Sequence, residues 1–223
     1  MIAELVADLK QFAPLVLLLA GVGFVMASAF EQMQMFAKYS GAKSGSVAGG
    51  YNNAMKLMVG NRLGAVLYFF FIAVAIDLQT SVPTLRWTLS CFVLTVSIIS
   101  ALLFWRFKHL ERDIQNEAAS AAQAEKLQSK TPFLGALLAT ALNMVGLTLP
   151  MIWSAATPEL RLTLANSGFI FNSVCTFINV FIVETHIAAL IDSRSLSIGR
   201  FLQKILIARM LGSSIVLPLL LLV

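Results

Sequence analysis

Charge is what this chain has least of: only 12% of its 223 residues are Asp, Glu, Lys or Arg, about half the share of an ordinary soluble domain. A surface facing water cannot be built from so few, so a soluble enzyme or a soluble nucleic-acid-binding domain is excluded, whatever the net charge of +5 suggests. Histidine and cysteine are equally scarce, at two each. His109 and His186 are too far apart for a His-Glu-x-x-His metal site. Cys91 and Cys175 lie inside apolar runs, where a lone thiol packs as a small apolar residue, so neither a disulfide framework nor a metal cluster follows. With no paired catalytic carboxylates and no Ser/His arrangement, the chain reads as a protein without enzymatic activity or cofactor.

What is present is apolar, 58% of the sequence. At about 20 residues per crossing, the apolar runs resolve into six helices over 13–37, 52–78, 87–107, 133–153, 162–190 and 198–222. The expected fold is therefore all-α, one polytopic membrane domain spanning 1–223, with a charged connection at 106–131 between the third and fourth helices. Thirteen of the sixteen Lys and Arg residues lie nearest the first, third and fifth loops. The positive-inside rule puts those loops in the cytoplasm and both termini outside. Trp87, Trp105 and Trp153 fall near span boundaries, where an aromatic belt belongs. Ala27-Ser28-Ala29 mimics a signal-peptidase site, but the acidic Glu4 and Asp8 contradict a signal peptide, so the first span is read as retained.

The few charges inside the spans are functional candidates by position. Glu31 falls about two turns, roughly 10 Å, from the cytoplasmic end of span one, and Arg62 roughly 15 Å into span two. Between them, Tyr39 to Gly50 is rich in Gly and Ser and reads as a mobile loop, flanked by Lys38 and Lys43. Asn52, Asn53 and Lys56 share a helix face, and Gly60 with Gly64 makes a small-xxx-small pair for close helix approach. Span five carries Glu184 and a stripe of Asn172, Asn179 and His186 at seven-residue intervals. In span six, KILIARMLG from Lys204 to Gly212 aligns without a gap on KLMVGNRLG from Lys56 to Gly64. Each segment follows a span with a buried Glu, so an internal repeat is expected, helices one and two answering to five and six. If the acids are structurally paired, the neighbours within each half are Glu31–Arg62 and Glu184–Arg209.

These residues resemble the Amj family, the alternate lipid II flippases of bacterial cell-wall synthesis. The resemblance covers most of spans one, two, five and six. It rests on Glu31, Lys38, Gly41, Ser44 and Arg62 in the first half, and on Asn172, Thr176, Glu184, Ala188, Asp192, Arg209 and Gly212 in the second. Gln32, Met35, Met55 and the Glu184-Thr185 pair depart from the family pattern, and Lys38 stands for an Arg. The resemblance implies a multi-pass protein of the bacterial cytoplasmic membrane that moves an undecaprenyl-diphosphate-linked sugar outward for peptidoglycan synthesis and cell shape. Lys56, Arg62, Lys204 and Arg209 are then expected on the diphosphate, with Glu31, Lys38 and Glu184 beside them and Asn172 and Asn179 on the sugars. The partners are the lipid-linked substrate and the bilayer, no nucleic acid, and either further copies of the chain or cell-wall synthesis proteins. A non-transporting assembly subunit and a proton-coupled small-molecule transporter fit the same residues.

Overall fold

The computed structural model describes residues 10–112, 130–192 and 198–222. Side chains are described to Arg106 in the third span and to Ile191 in the fifth, so those of His109 and Asp192, and the charged connection from 113 to 129, lie outside the described residues. The elements are α1 (Ala13–Lys43), α2 (Val47–Asp77), α3 (Val82–Arg112), α4 (Thr131–Ala156), a 3-10 turn (Pro158–Leu160), α5 (Arg161–Ile178), a π-helical segment (Asn179–Glu184), α6 (Thr185–Asp192) and α7 (Ile198–Leu222). Everything between Pro158 and Ile191 forms one continuous fifth span, so the bundle has six helices long and apolar enough to cross a membrane. Helix is the form that meets each backbone N–H and C=O within its own segment, as a hydrocarbon surrounding demands. The outer surface is built of side chains such as Leu18, Val66, Leu102, Phe169 and Ile170, all more than half exposed. A water-facing protein would not display them; a lipid-facing one must.

Helix starts follow the sequence closely. Pro14 and Pro132 sit in first turns, where a missing N–H costs nothing, with Phe12 and Lys130 as the preceding caps. Pro150 and Pro218 lie inside α4 and α7, both of which continue past them.

One expectation is overturned. The Gly- and Ser-rich stretch from Tyr39 to Gly50 is not a mobile loop: α1 runs to Lys43 and α2 begins at Val47. The glycines serve contact, because Gly41 lies directly against Gly50 where the two helices meet. The same seam continues up the hairpin. A Cβ on Gly64 would lie 2.5 Å from the backbone nitrogen of Ala27, and Asn61 Nδ2 donates to Ala27 O at 2.8 Å. The small-xxx-small pair therefore does what its spacing suggests, with α1 as the helix it receives.

The remaining spans assemble around α4. α5 forms a second hairpin with α4, tight enough that a Cβ on Gly168 would meet Gly146 O at 2.6 Å. α7 packs between α3 and α4, where Ser97 and Ser213 share a hydrogen bond of 2.7 Å. The packing does not follow the expected repeat. α1 and α2 touch along their length, whereas the fifth span lies on α4 and meets α7 only near its end.

Two apolar cores result. One, around Phe24, Tyr68, Ile72, Leu89, Ile152 and Leu220, fills the end where α2 finishes; Tyr68 there donates to Leu147 O at 2.5 Å. The other, around Met35, Ala136, Ile187, Leu202, Ile205 and Leu206, fills the opposite end, which carries Lys38, Lys43, Arg106 and Lys130 and is called the basic end below. The polar residues between them belong to neither core.

Candidate functional site

Between the cores, four of the six spans turn polar side chains toward one another. α1 contributes Ser28, Glu31 and Gln32, which share a face by their spacing of three and four. α4 contributes Thr140 and Asn143, the fifth span Cys175 and Asn179, and α7 Arg209; Val96 of α3 and Met144 close the cleft. The enclosed space is small, about that of one water molecule.

The cleft is centred on an ion pair. Arg209 Nη1 donates to Glu31 Oε1 at 3.0 Å, the two side chains being 10% and 32% exposed. Breaking such a pair leaves a largely desolvated charge without its counter-ion, which is costly. Two polar atoms beside it are buried without a hydrogen-bond partner among the described residues: Gln32 Oε1 and Arg209 Nε. One accepts and the other donates, and each faces a polar cleft in which a hydrogen-bonding guest would satisfy it.

A second ion pair lies toward the basic end. Lys38, seven residues or about 10 Å along the same face of α1, donates to Glu184 Oε2 at 2.5 Å. Its ammonium also lies 5.4 Å from the centre of the Tyr51 ring, within cation–π range. Both pairs thus join α1 to the last two spans.

The π-helical segment connects the two sites. Asn179, at its start, lines the cleft, and Glu184, at its end, holds Lys38. In an α-helix residues five apart point about 140° away from each other; the wider π turn, hydrogen-bonded from i to i+5, brings 184 back nearly over 179. The Thr185 hydroxyl adds a bond of that spacing, donating to Val180 O at 3.1 Å.

The structure therefore gathers Glu31, Asn179 and Arg209 in one cleft and Lys38 and Glu184 in a pair beyond it. It leaves the other expected residues elsewhere. Lys56 and Arg62 are exposed on the outer face of α2, which contributes nothing to the cleft. Lys204 is exposed on α7, and Asn172 is half-buried in α5 but is not among the residues lining this cleft. The seven-residue stripe breaks between Asn179 and His186, where the π segment changes the helical period; Asn172 lies two turns before Asn179, about 10 Å along the helix. His186 lies beyond it, its Nδ1 3.0 Å from Ile182 O and its ring stacked against Phe201.

The pairing is exchanged as well: Glu31 takes Arg209 rather than Arg62, and Glu184 takes Lys38 rather than Arg209. Gln32, Thr140 and Asn143 went unrecognised because a neutral amide or hydroxyl in an apolar run carries no charge signal. Their one cue was position, since Gln32 adjoins Glu31 and Asn143 is the sole amide of its span.

Among the described residues no group of His, Cys, Asp and Glu is arranged to hold a metal ion. No family model matches this chain, and neither a curated protein nor a solved structure is found similar to it. What stands on its own is an all-helical chain with six spans long and apolar enough to cross a membrane, closed around a polar cleft.

Proposed function

We propose that the protein is a lipid flippase, carrying a polyprenyl-diphosphate-linked sugar of the lipid II kind from the cytoplasmic to the outer leaflet of a bacterial membrane. The basic end would face the cytoplasm and both termini the outside, in keeping with the positive-inside rule. The observation that carries this reading is Arg209, a guanidinium between the two apolar cores whose described counter-charge is a single carboxylate. A diphosphate headgroup cannot leave water unaided. A cation held ready in a polar cleft offers it planar, bidentate donors along the way.

Separation of the fifth span from α1 would open the cleft and expose Lys38 and Arg209 in turn along one path. Asn143 and Asn179 would meet the sugar or the diphosphate oxygens, while the polyprenyl chain stays in lipid between helices. The resemblance to the Amj family supports the same assignment, since Glu31, Lys38, Glu184 and Arg209 are all among the residues that carry it.

The test is a flipping assay in vesicles of purified protein with a fluorescent polyprenyl-diphosphate sugar. Wild type should move the lipid between leaflets, and Arg209→Ala at matched protein levels should not. Equal movement by both would remove the cleft from the path.

One observation favours a second reading, a non-transporting assembly subunit. The outer face of α2 presents Arg62 between Val59 and Val66 with no partner among the described residues, which suits a neighbouring membrane helix bearing an acid. Stoichiometric co-purification of such a partner, without any flipping, would decide for it.

A further inference from the structure

We infer that the cleft takes up a proton together with its anionic cargo, Glu31 being the group protonated and Arg209 the cation thereby set free; the inference rests on the flippase reading.

The geometry sets up a competition. Arg209 lies nine-tenths buried, with Nη1 committed to Glu31 and Nε unpartnered among the described residues. An arriving phosphate oxygen that takes the open Nε would lie on the same guanidinium that already holds the Glu31 carboxylate. Two anions cannot share one guanidinium in so dry a site, because like charges at close range oppose each other's ionisation. Protonation resolves the conflict: Glu31 carboxylate plus a proton from water gives the neutral acid, Arg209 keeps its charge, and the phosphate oxygen replaces the carboxylate on Nη1. No bond other than O–H is made, and release of the cargo returns the proton.

The surroundings favour this exchange. The neutral acid gains an O–H that needs an acceptor, and Gln32, 2% exposed and adjacent in the chain, has an unpartnered Oε1 in the same cleft. The titratable groups lining the cleft are Glu31, Arg209 and the Cys175 thiol; α3 and α4 supply only Val96, Thr140, Asn143 and Met144. α2, packed against α1, keeps Lys56 and Arg62 on its outer face. Lys38, further along α1, is held by Glu184. The cargo's negative charge would then cross the membrane reduced by one.

The experiment uses the full chain in lipid nanodiscs and farnesyl diphosphate as probe. Titration calorimetry in two buffers of different ionisation enthalpy counts protons taken up on binding. Because the probe can itself change protonation, the quantity of interest is the difference between variants. Wild type should take up about one proton more than Glu31→Gln, the integer that a single linked site requires. Glu31→Asp, which keeps the carboxyl, should behave as wild type. Between pH 7 and pH 8 the affinity of wild type for the probe should also fall about tenfold more than that of Glu31→Gln, one linked proton being a factor of ten per pH unit. Equal proton uptake by wild type and Glu31→Gln would overturn the inference and leave the flippase reading standing. So would a failure of wild type to bind the probe at pH 6, where uptake of a proton costs least; the vesicle assay with the sugar-bearing lipid then judges transport separately.

Discussion

The segments Lys56–Gly64 and Lys204–Gly212 share Lys, Leu and Gly at matching positions and sit in opposite surroundings. Their last residues behave alike. Gly64 lies against the backbone of α1 and Gly212 against that of α4, where a Cβ would fall 2.5 Å and 2.6 Å from the nearest backbone atom. Their arginines do not. Arg209, which falls opposite Asn61 in the ungapped alignment, is buried and paired with Glu31, whereas Arg62, one position further on and two residues before Gly64, looks outward while Asn61 bonds to α1. Small residues dictate a close neighbour wherever they stand, because only backbone contact uses their lack of a side chain. A charge dictates only that some partner be found, and the topology decides which. α2 is at the rim, touching chiefly α1; α7 is wedged between α3 and α4.

The largest test of that contrast is truncation of the buried arginine. Arg209→Ala strands Glu31 and should destabilise the protein by about 3 kcal/mol, the low end for a broken buried pair because the carboxylate is a third exposed. Thermal unfolding in detergent reads it, and Arg209→Ala with Glu31→Gln should recover most of the loss. A double variant no more stable than the single would mean that the two side chains are not coupled.

Next come the glycines, where the two segments should agree. Gly64→Leu and Gly212→Leu should each cost about 2 kcal/mol through forced helix separation. A large effect at one and none at the other would break the likeness just drawn.

The second ion pair sets an intermediate scale. A double-mutant cycle on Lys38→Met and Glu184→Gln should return a coupling of about 1 kcal/mol, because Glu184 is more than a third exposed and solvent screens it. Coupling near zero would reduce that pair to a crystal-like proximity without energetic weight.

Smallest is Arg62→Ala, expected to change stability by less than about 0.5 kcal/mol, as outward-facing substitutions do. Its flipping rate should stay close to that of wild type. Loss of transport in this variant would return Arg62 to the path and undo the contrast.

How much of this was legible in the sequence differs by kind of information. Six spans could be read because hydrocarbon forces apolar runs of fixed length, and their limits agree within a few residues except at the first connection. There the composition of 39–50 suggested a loop, yet Gly41 and Gly50 are spent on helix contact, a use that composition cannot distinguish from a turn. Glu31, Lys38, Glu184 and Arg209 stood out because charge is rare in a span. Their pairing was illegible, since proximity in sequence favoured Glu31–Arg62 and the fold chose otherwise. The π segment was hidden too: a single change of helical period leaves no mark in residue types, and it sufficed to separate His186 from Asn179.

The distances along the chain between the paired residues bear on how the protein is made. Lys38 waits 146 residues for Glu184, and Glu31 waits 178 for Arg209. At ribosomal speeds of about 5–20 residues per second the second wait lasts roughly 10 to 35 s, during which Glu31 has entered the bilayer region with no basic partner from span six. A nascent chain would meet that interval by holding Glu31 protonated or by keeping α1 beside the insertion machinery. An unfinished copy would display a lone carboxylate as a mark of incompleteness. A chain stopped at Asp192 should accordingly be cleared faster in a pulse–chase than the same fragment carrying Glu31→Gln; equal lifetimes would show that the cell does not sense the missing partner.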